Sequence, residues 1–272
     1  MDTEQLLRPC AAAPTLALIH RLQSDRQYRD AHRLFFIEGI RNFVSAIDAG
    51  YTVDTLVYSE RLLIVPIARK LVRQLKRSGV RFARVSPEMF RSISHSEQAS
   101  GVAAIMRQTY TPLHQINPHQ QRCWVALSAV RSLGNLGTLV RTAAASGASG
   151  FLLLGNVIDP FDPAVVRAAM GTLFQQTMVR TKLPELQAWA GTQRVQVIGA
   201  SPDGTLEYDQ ADYQHPVVLL LGEERTGLSA AQRAICDQLV RIPMVNAIDS
   251  LNLAVAGSLL LYEVLRTVRR MQ

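Results

Sequence analysis

Two short apolar segments that each empty into a polar loop, with one long helix after the second, constrain the rear of this chain more than any other feature. Residues 217–221 are wholly apolar, read as a buried strand end, and break at Gly222 into the polar run 223–227. A short helical segment follows, then a second strand over 239–242, Pro243 and another loop. That loop ends at Asp249-Ser250, a natural N-cap pair, and opens a helix running from Leu253 past Glu263. Strands that exit into loops at one end of an open α/β sheet are what such sheets use to hold a ligand. The same pattern also fits a purely structural α/β edge.

The 272 residues suffice for one large core or for two unequal domains. Cys10, Cys123 and Cys236 are odd in number and far apart, so they form neither a disulfide framework nor a metal cluster, which points to a reducing, cytoplasmic setting. The acidic start, 1–4, is not followed by a long apolar run of the secretory kind, and no segment has the uninterrupted apolar length of a membrane span. The formal charge of +7 is uneven: residues 1–120 carry 16 Lys and Arg against 10 Asp and Glu, and 121–272 carry 13 against 12. A basic front part favours polyanions, and it also fits a merely solvated face.

Taken in order, residues 1–20 read as an arm interrupted by Pro9 and Pro14, and 21–33 as an exposed polar helix. Strands are expected over 34–37, 53–58, 80–85 and 101–106, the last of them central, with helices over 40–50, 69–78 and 87–92. This describes a small α/β domain within 1–107. Between Arg69 and Arg84 lie seven basic residues and no acidic one; on a helix Arg69, Arg73, Lys76 and Arg77 share a side, a patch suited to phosphates. Residues 108–121 are polar, hold two prolines and read as a linker, and His114 and His119 there lack metal-ligand companions.

From 122 to 272 strands and helices alternate, which predicts a mostly parallel sheet. Strands are expected at 123–127, 151–154, 176–180 and 195–198, with helices from about 134, over 163–170 and from 184. In the helix from 134, Asn135 stands near the mouth and Arg141 two turns in. The small residues Ala143, Ala144 and Ala145 suit close packing, so Arg141 is expected to be buried with a partner or an anionic site. No dinucleotide fingerprint, Walker loop, zincin motif or nucleophile elbow occurs. Glu223 and Glu224 are adjacent, so their side chains should diverge rather than form an acid–base dyad. Asn252 is a polar group at the edge of an apolar helix, and such groups are held by partners.

Asn135-Leu-Gly-Thr-Leu-Val-Arg141-Thr-Ala, Leu221-Gly-Glu-Glu-Arg-Thr-Gly-Leu228 and Ile242-Pro-Met with Asp-Ser250-Leu-Asn252-Leu-Ala-Val-Ala256 resemble, in order and spacing, the three motifs of the SpoU/TrmH-type RNA ribose 2'-O-methyltransferases. Phe35-Phe-Ile-Glu-Gly39 and Gly101-Val resemble the ribosomal-protein-like substrate-binding domain that precedes the catalytic domain in many ribosomal-RNA members. The resemblance covers nearly the whole chain. It implies an α/β-knot, a deep trefoil, in the rear domain, a homodimer joined through the knot and last helix, and S-adenosylmethionine bound without a metal. Matching cofactor contacts are Leu221, Gly222, Gly227, Ile242, Met244 and Leu251. The matching reaction residues are Arg141, cast as the group that activates the 2'-hydroxyl, with Asn135, Glu224 and Asn252 in support and Ser250 as a substrate or cofactor contact. A guanidinium is protonated at ordinary pH, so holding the 2'-oxygen beside a phosphate and stabilising the forming alkoxide asks less of Arg141 than acting as a base.

Two departures stand out: Asn246 where a glycine is usual, and Arg131-Ser-Leu-Gly where an acidic or proline-containing run is more common. The implied target is structured RNA, with ribosomal RNA expected. A transfer-RNA methyltransferase of the same group and an RNA-binding homologue without transfer activity are the alternatives.

Overall fold

In the computed structural model, residues 8–120, 123–245 and 250–270 are described. The front elements are β1 (Arg8–Pro9), α1 (Ala12–Ser24), α2 (Arg26–His32), β2 (Leu34–Glu38), α3 (Ile40–Asp48), β3 (Val53–Tyr58), α4 (Pro66–Arg77), β4 (Arg81–Arg84), α5 (Pro87–Ile93) and β5 (Val102–Arg107). After two single 3-10 turns come β6 (Cys123–Leu127), α6 (Leu133–Ser146), β7 (Gly150–Leu154), α7 (Pro163–Ala169), β8 (Thr177–Thr181), α8 (Leu183–Gln193) and β9 (Gln196–Ala200). The rear closes with β10 (Leu206–Glu207), β11 (Val217–Leu221), α9 (Ala230–Ala234), β12 (Gln238–Arg241) and α10 (Leu253–Arg270).

Two compact units result. One holds residues 1–109 together with Phe161–Gln175, and the other holds Tyr110–Pro160 and Gln176–Gln272. In the first, a five-stranded sheet has the order β1-β4-β3-β5-β2, so β5 is interior, as its apolar run predicts. It pairs antiparallel to both neighbours. The inserted segment supplies core: Phe161 is fully buried with its ring 4.6 Å from that of Phe35, and Phe174 stands edge-on to Tyr51 at 5.1 Å.

Three front-end expectations change. Pro14 does not interrupt the arm, because it falls in the first turn of α1, where backbone N–H groups have no helical acceptor to lose. The polar stretch 21–33 is broken at Asp25, whose side chain caps α2, and one of its charges is interior. Arg29 is 2% exposed, donates to the Leu22 carbonyl at 2.7 Å, and pairs with Asp162 at 2.9 Å. A buried guanidinium needs such a partner, and here it comes from 133 residues away, which local patterning does not reveal.

The second unit is a seven-stranded sheet of order β10-β12-β9-β11-β6-β7-β8 in which every pairing is parallel. Strands covered on both faces read as continuous apolar runs, and β6, β7 and β11 are buried at every position. Helix α10 packs on α6 at Gly257, where a Cβ would stand 2.7 Å from Leu139 Cδ1 and 2.9 Å from Leu221 Cδ1. Ser258 donates to the Thr142 hydroxyl at 3.1 Å along the same seam. No helix among the described residues is long and apolar enough to cross a membrane.

Candidate active site

Beyond the carboxyl ends of the adjacent strands β12, β9 and β11 lies a cleft of about 280 Å³. Open parallel sheets place ligands there because several loops converge while the strands hold their roots. The floor is apolar, with Leu221, Val240, Ile242, Leu251, Leu253 and Ala256. Gly222, Gly227, Met244, Glu224 and Ser250 also line it. Thus all six cofactor contacts expected from the motifs, scattered over three stretches of sequence, meet at one hollow.

The wall over 222–227 is a tight loop. Glu223 and Gly227 exchange two backbone hydrogen bonds, at 3.1 and 2.9 Å. A Cβ at Gly222 would collide with the Gly227 backbone, and Gly227 itself has φ 65°. The first glycine permits the close approach and the second the left-handed turn.

Helix α6 begins at Leu133, within a residue of its expected start, because the Ser132 hydroxyl accepts the Asn135 N–H at 3.4 Å and caps it. This sets Asn135 toward the 222–227 loop. Its Nδ2 donates to Glu224 Oε1 at 2.6 Å, and its Oδ1 accepts from Asn252 Nδ2 at 3.1 Å. Asn252 Oδ1 in turn accepts the backbone N–H groups of Ala254 and Val255, at 2.9 and 3.3 Å. Asn252 is therefore the cap of α10, in place of the Asp249-Ser250 pair expected; Ser250 is exposed, and Asp249 and Asn246 lie outside the described residues.

Every bond in this series has a fixed sense. Backbone N–H groups only donate and an ionised carboxylate only accepts, so both amides are oriented from their ends inward. The result is a directed relay from the amino end of α10, through Asn252 and Asn135, to the Glu224 carboxylate.

The two neighbouring glutamates do diverge. Glu223 Oε1 accepts from Arg131 Nε at 2.8 Å and Nη2 at 2.6 Å, and Oε2 accepts the Thr226 hydroxyl at 3.0 Å. The Arg131 and Thr226 hydrogen bonds hold the Glu223 carboxyl below the usual carboxylate range. Nothing in the sequence singles out Arg131 or Thr226 as partners; only the contact of the two loops does.

Arg141 departs from its expected environment. It is exposed, because the buried face of α6 consists of Leu136, Gly137, Leu139, Val140, Ala143 and Ser146, and Arg141 falls on the outer stripe with Thr138 and Ala145. Neither Arg141, Asn135 nor Asn252 lines the cleft; the latter two reach it through Glu224.

In the front unit, Arg69, Arg73 and Arg77 project from the exposed face of α4 while Ala68 and Val72 face inward. Arg69 also donates from its Nε to the Leu63 carbonyl. Lys76 is half-buried, donates to Tyr58 Oη at 3.0 Å and lies 4.4 Å from the Phe82 ring centre.

All three cysteines are free, and burial pushes the Cys123 thiol up to about 12 and the Cys236 thiol up to about 11, so neither supplies a thiolate nucleophile near neutral pH. Among the described residues no group of three or more His, Cys, Asp or Glu side chains could hold a metal ion.

Known proteins share this design. The SpoU rRNA Methylase family model matches residues 122–262, and the MRM3-like substrate binding domain matches 14–104. A 23S rRNA (uridine(2479)-2'-O)-methyltransferase from Streptomyces viridochromogenes is 31% identical over 90% of this chain and 87% of its own. Among solved structures, the AdoMet-bound rRNA methyltransferase from Sinorhizobium meliloti superposes with a TM-score of 0.88 at 33% identity, covering 97% of this chain and 99% of that one. The SpoU methyltransferase AviRb from Streptomyces viridochromogenes, in complex with AdoMet, gives 0.84 at 29% identity, covering 94% and 98%. With a family match over more than half its length, the chain belongs to the SpoU rRNA methylase family.

Proposed function

We propose that this enzyme transfers a methyl group from S-adenosylmethionine to a ribose 2'-hydroxyl of structured RNA, with ribosomal RNA as the target. The observation that carries this reading is the convergence of Leu221, Gly222, Gly227, Ile242, Met244 and Leu251 on one cleft beside the Asn252–Asn135–Glu224 relay. The cleft fits the cofactor chemically: an apolar floor suits a purine face, while Ser250 offers a hydroxyl. Full-length similarity to ribosomal-RNA methyltransferases, front domain included, favours ribosomal over transfer RNA.

When bound, S-adenosylmethionine supplies a methyl group on a sulfonium leaving group, so no metal is required. The chain supplies aim and charge. Asn135 and Asn252 fix the Glu224 carboxylate, which is placed to accept a hydrogen bond from an incoming group. Arg141, exposed on α6, binds the RNA backbone and stabilises negative charge on the 2'-oxygen as its proton passes to solvent water.

Three finer features belong to the same reading. The expected division into 1–107 for RNA binding, 108–121 as linker and 122–272 for transfer is kept except that Phe161–Gln175, inside the last span, packs with the front unit and serves RNA binding with it. The rear unit is knotted as a deep trefoil, as the family resemblance implies; an experimental chain trace without a knot would refute it. The protein works as a homodimer through α10, whose Val255, Leu259 and Tyr262 are 49%, 37% and 52% exposed along one face.

The test pairs calorimetry of cofactor binding with ribose-methylation mapping of ribosomal RNA. Arg141→Ala should lower methyl transfer by ~10²-fold or more while leaving cofactor affinity within a few-fold. Equal loss of binding would make Arg141 a pocket residue, and a wild-type protein that binds no S-adenosylmethionine would sink the reading.

A further inference from the structure

The loop between β6 and α6 carries a second attachment to the cofactor wall, separate from the Asn135 relay. We propose that Arg131 is a positioning residue: by clamping Glu223, it holds the 222–227 wall in the shape that binds the cofactor and presents Glu224 to Asn135. The inference rests on the assignment of this cleft to S-adenosylmethionine.

Glu223 is fixed at four points. Its backbone N–H and carbonyl are both bonded to Gly227, its Oε1 accepts two N–H groups of Arg131, and its Oε2 accepts the Thr226 hydroxyl. Such saturation is uncommon for a side chain at the surface, where most ion pairs contribute little. Here the pair closes a ring of contacts on a loop whose glycines give it little stiffness of its own. The lowered pKa of Glu223 agrees with a carboxylate held in its charged form.

The geometry also separates two tasks. Glu223 and Glu224 are consecutive, so fixing the first on Arg131 limits the rotation available to the second, and the 2.6 Å bond from Asn135 is made from a preset position. Arg131 touches neither the cleft floor nor Asn135 itself; it acts through its neighbour. Its side chain remains 51% exposed, so the clamp can be altered without opening the core.

The test uses the full-length protein with S-adenosylhomocysteine as the calorimetric probe. Arg131→Glu should weaken binding tenfold or more, and the charge-exchanged double variant Arg131→Glu with Glu223→Arg should recover to within about threefold of wild type, a factor near 0.65 kcal/mol. Arg131→Ala should lie between wild type and Arg131→Glu. In hydrogen exchange, the Glu223 and Gly227 amides, protected in the wild type, should exchange at least tenfold faster in Arg131→Ala, with the melting midpoint unchanged. Wild-type binding with Arg131→Glu and Arg131→Ala both within twofold would overturn the clamp alone. So would a double variant that folds and shows no recovery. Wild-type protein that fails to bind the probe would overturn the assignment of the cleft, and this role with it.

Discussion

Asn252 does two jobs with one amide: its oxygen caps α10 and its nitrogen feeds Asn135. Aspartate keeps the first and removes the second, since a carboxylate accepts but does not donate. Asn252→Asp should therefore leave the melting midpoint unchanged or slightly raised, because Asp is as good a cap as Asn, while methyl transfer falls at least ~10-fold from loss of the hydrogen bond that orients Asn135. A parallel fall in thermal stability would show that the cap, and not the relay, was the function of this residue. At this scale the sequence is informative about residue types and poor about environments. Asn135, Glu224 and Asn252 are identifiable from motif order, and the divergence of Glu223 from Glu224 follows from adjacency. The exposure of Arg141 does not follow, because alanines shortly after it make α6 look small all round, whereas burial is set by which stripe meets α10 and the sheet. Arg131 is visible only as a departure from the family pattern; its partner lies 92 residues away.

Helix α10 is the element on which the rear unit depends. Its inner face reaches α6 through Gly257 and Ser258, and its amino end orients the relay. Its outer face leaves Val255, Leu259 and Tyr262 in solvent at a spacing of one apolar stripe. If the proposed dimer forms through this face, the wild type sediments as a dimer and Leu259→Glu as a monomer, since a charge would be desolvated at the seam; a wild-type monomer would refute the dimer, and an unchanged sedimentation coefficient in the variant would place its contact elsewhere. Periodicity locates most elements, since apolar runs and 3.6-residue spacing are local properties. What it misses are pieces too short to show a period, such as β1 and β10, and the true cap of α10, where three capping residue types stand within four positions.

For the whole molecule, charge and chain path matter more than any single interaction. On α4 Arg69, Arg73 and Arg77 are exposed, Arg69 with its Nε bonded to the Leu63 carbonyl, while half-buried Lys76 is engaged with Tyr58. Reversing the three arginines should weaken RNA binding and flatten its dependence on salt by up to ~3 units in the log–log slope, about one for each phosphate no longer neutralised, with cofactor affinity unaltered. Reversing Lys76 should instead unsettle the front sheet, and an unchanged salt slope in the triple variant would move the RNA off α4. The α/β class and the parallel rear sheet are readable from alternation of elements. The composition of the front unit is not, because Phe161–Gln175 joins it from the middle of the rear sequence, and its Asp162 neutralises Arg29 in the front core. That detour has a practical meaning for anyone borrowing the front unit. A gene fragment stopped after residue 109 would leave a buried guanidinium without its counter-ion and Phe35 without two of its ring neighbours, Phe161 and Phe174. Grafting the module onto another enzyme thus requires carrying two discontinuous pieces of polypeptide, and recombination that exchanges only the leading piece would be selected against.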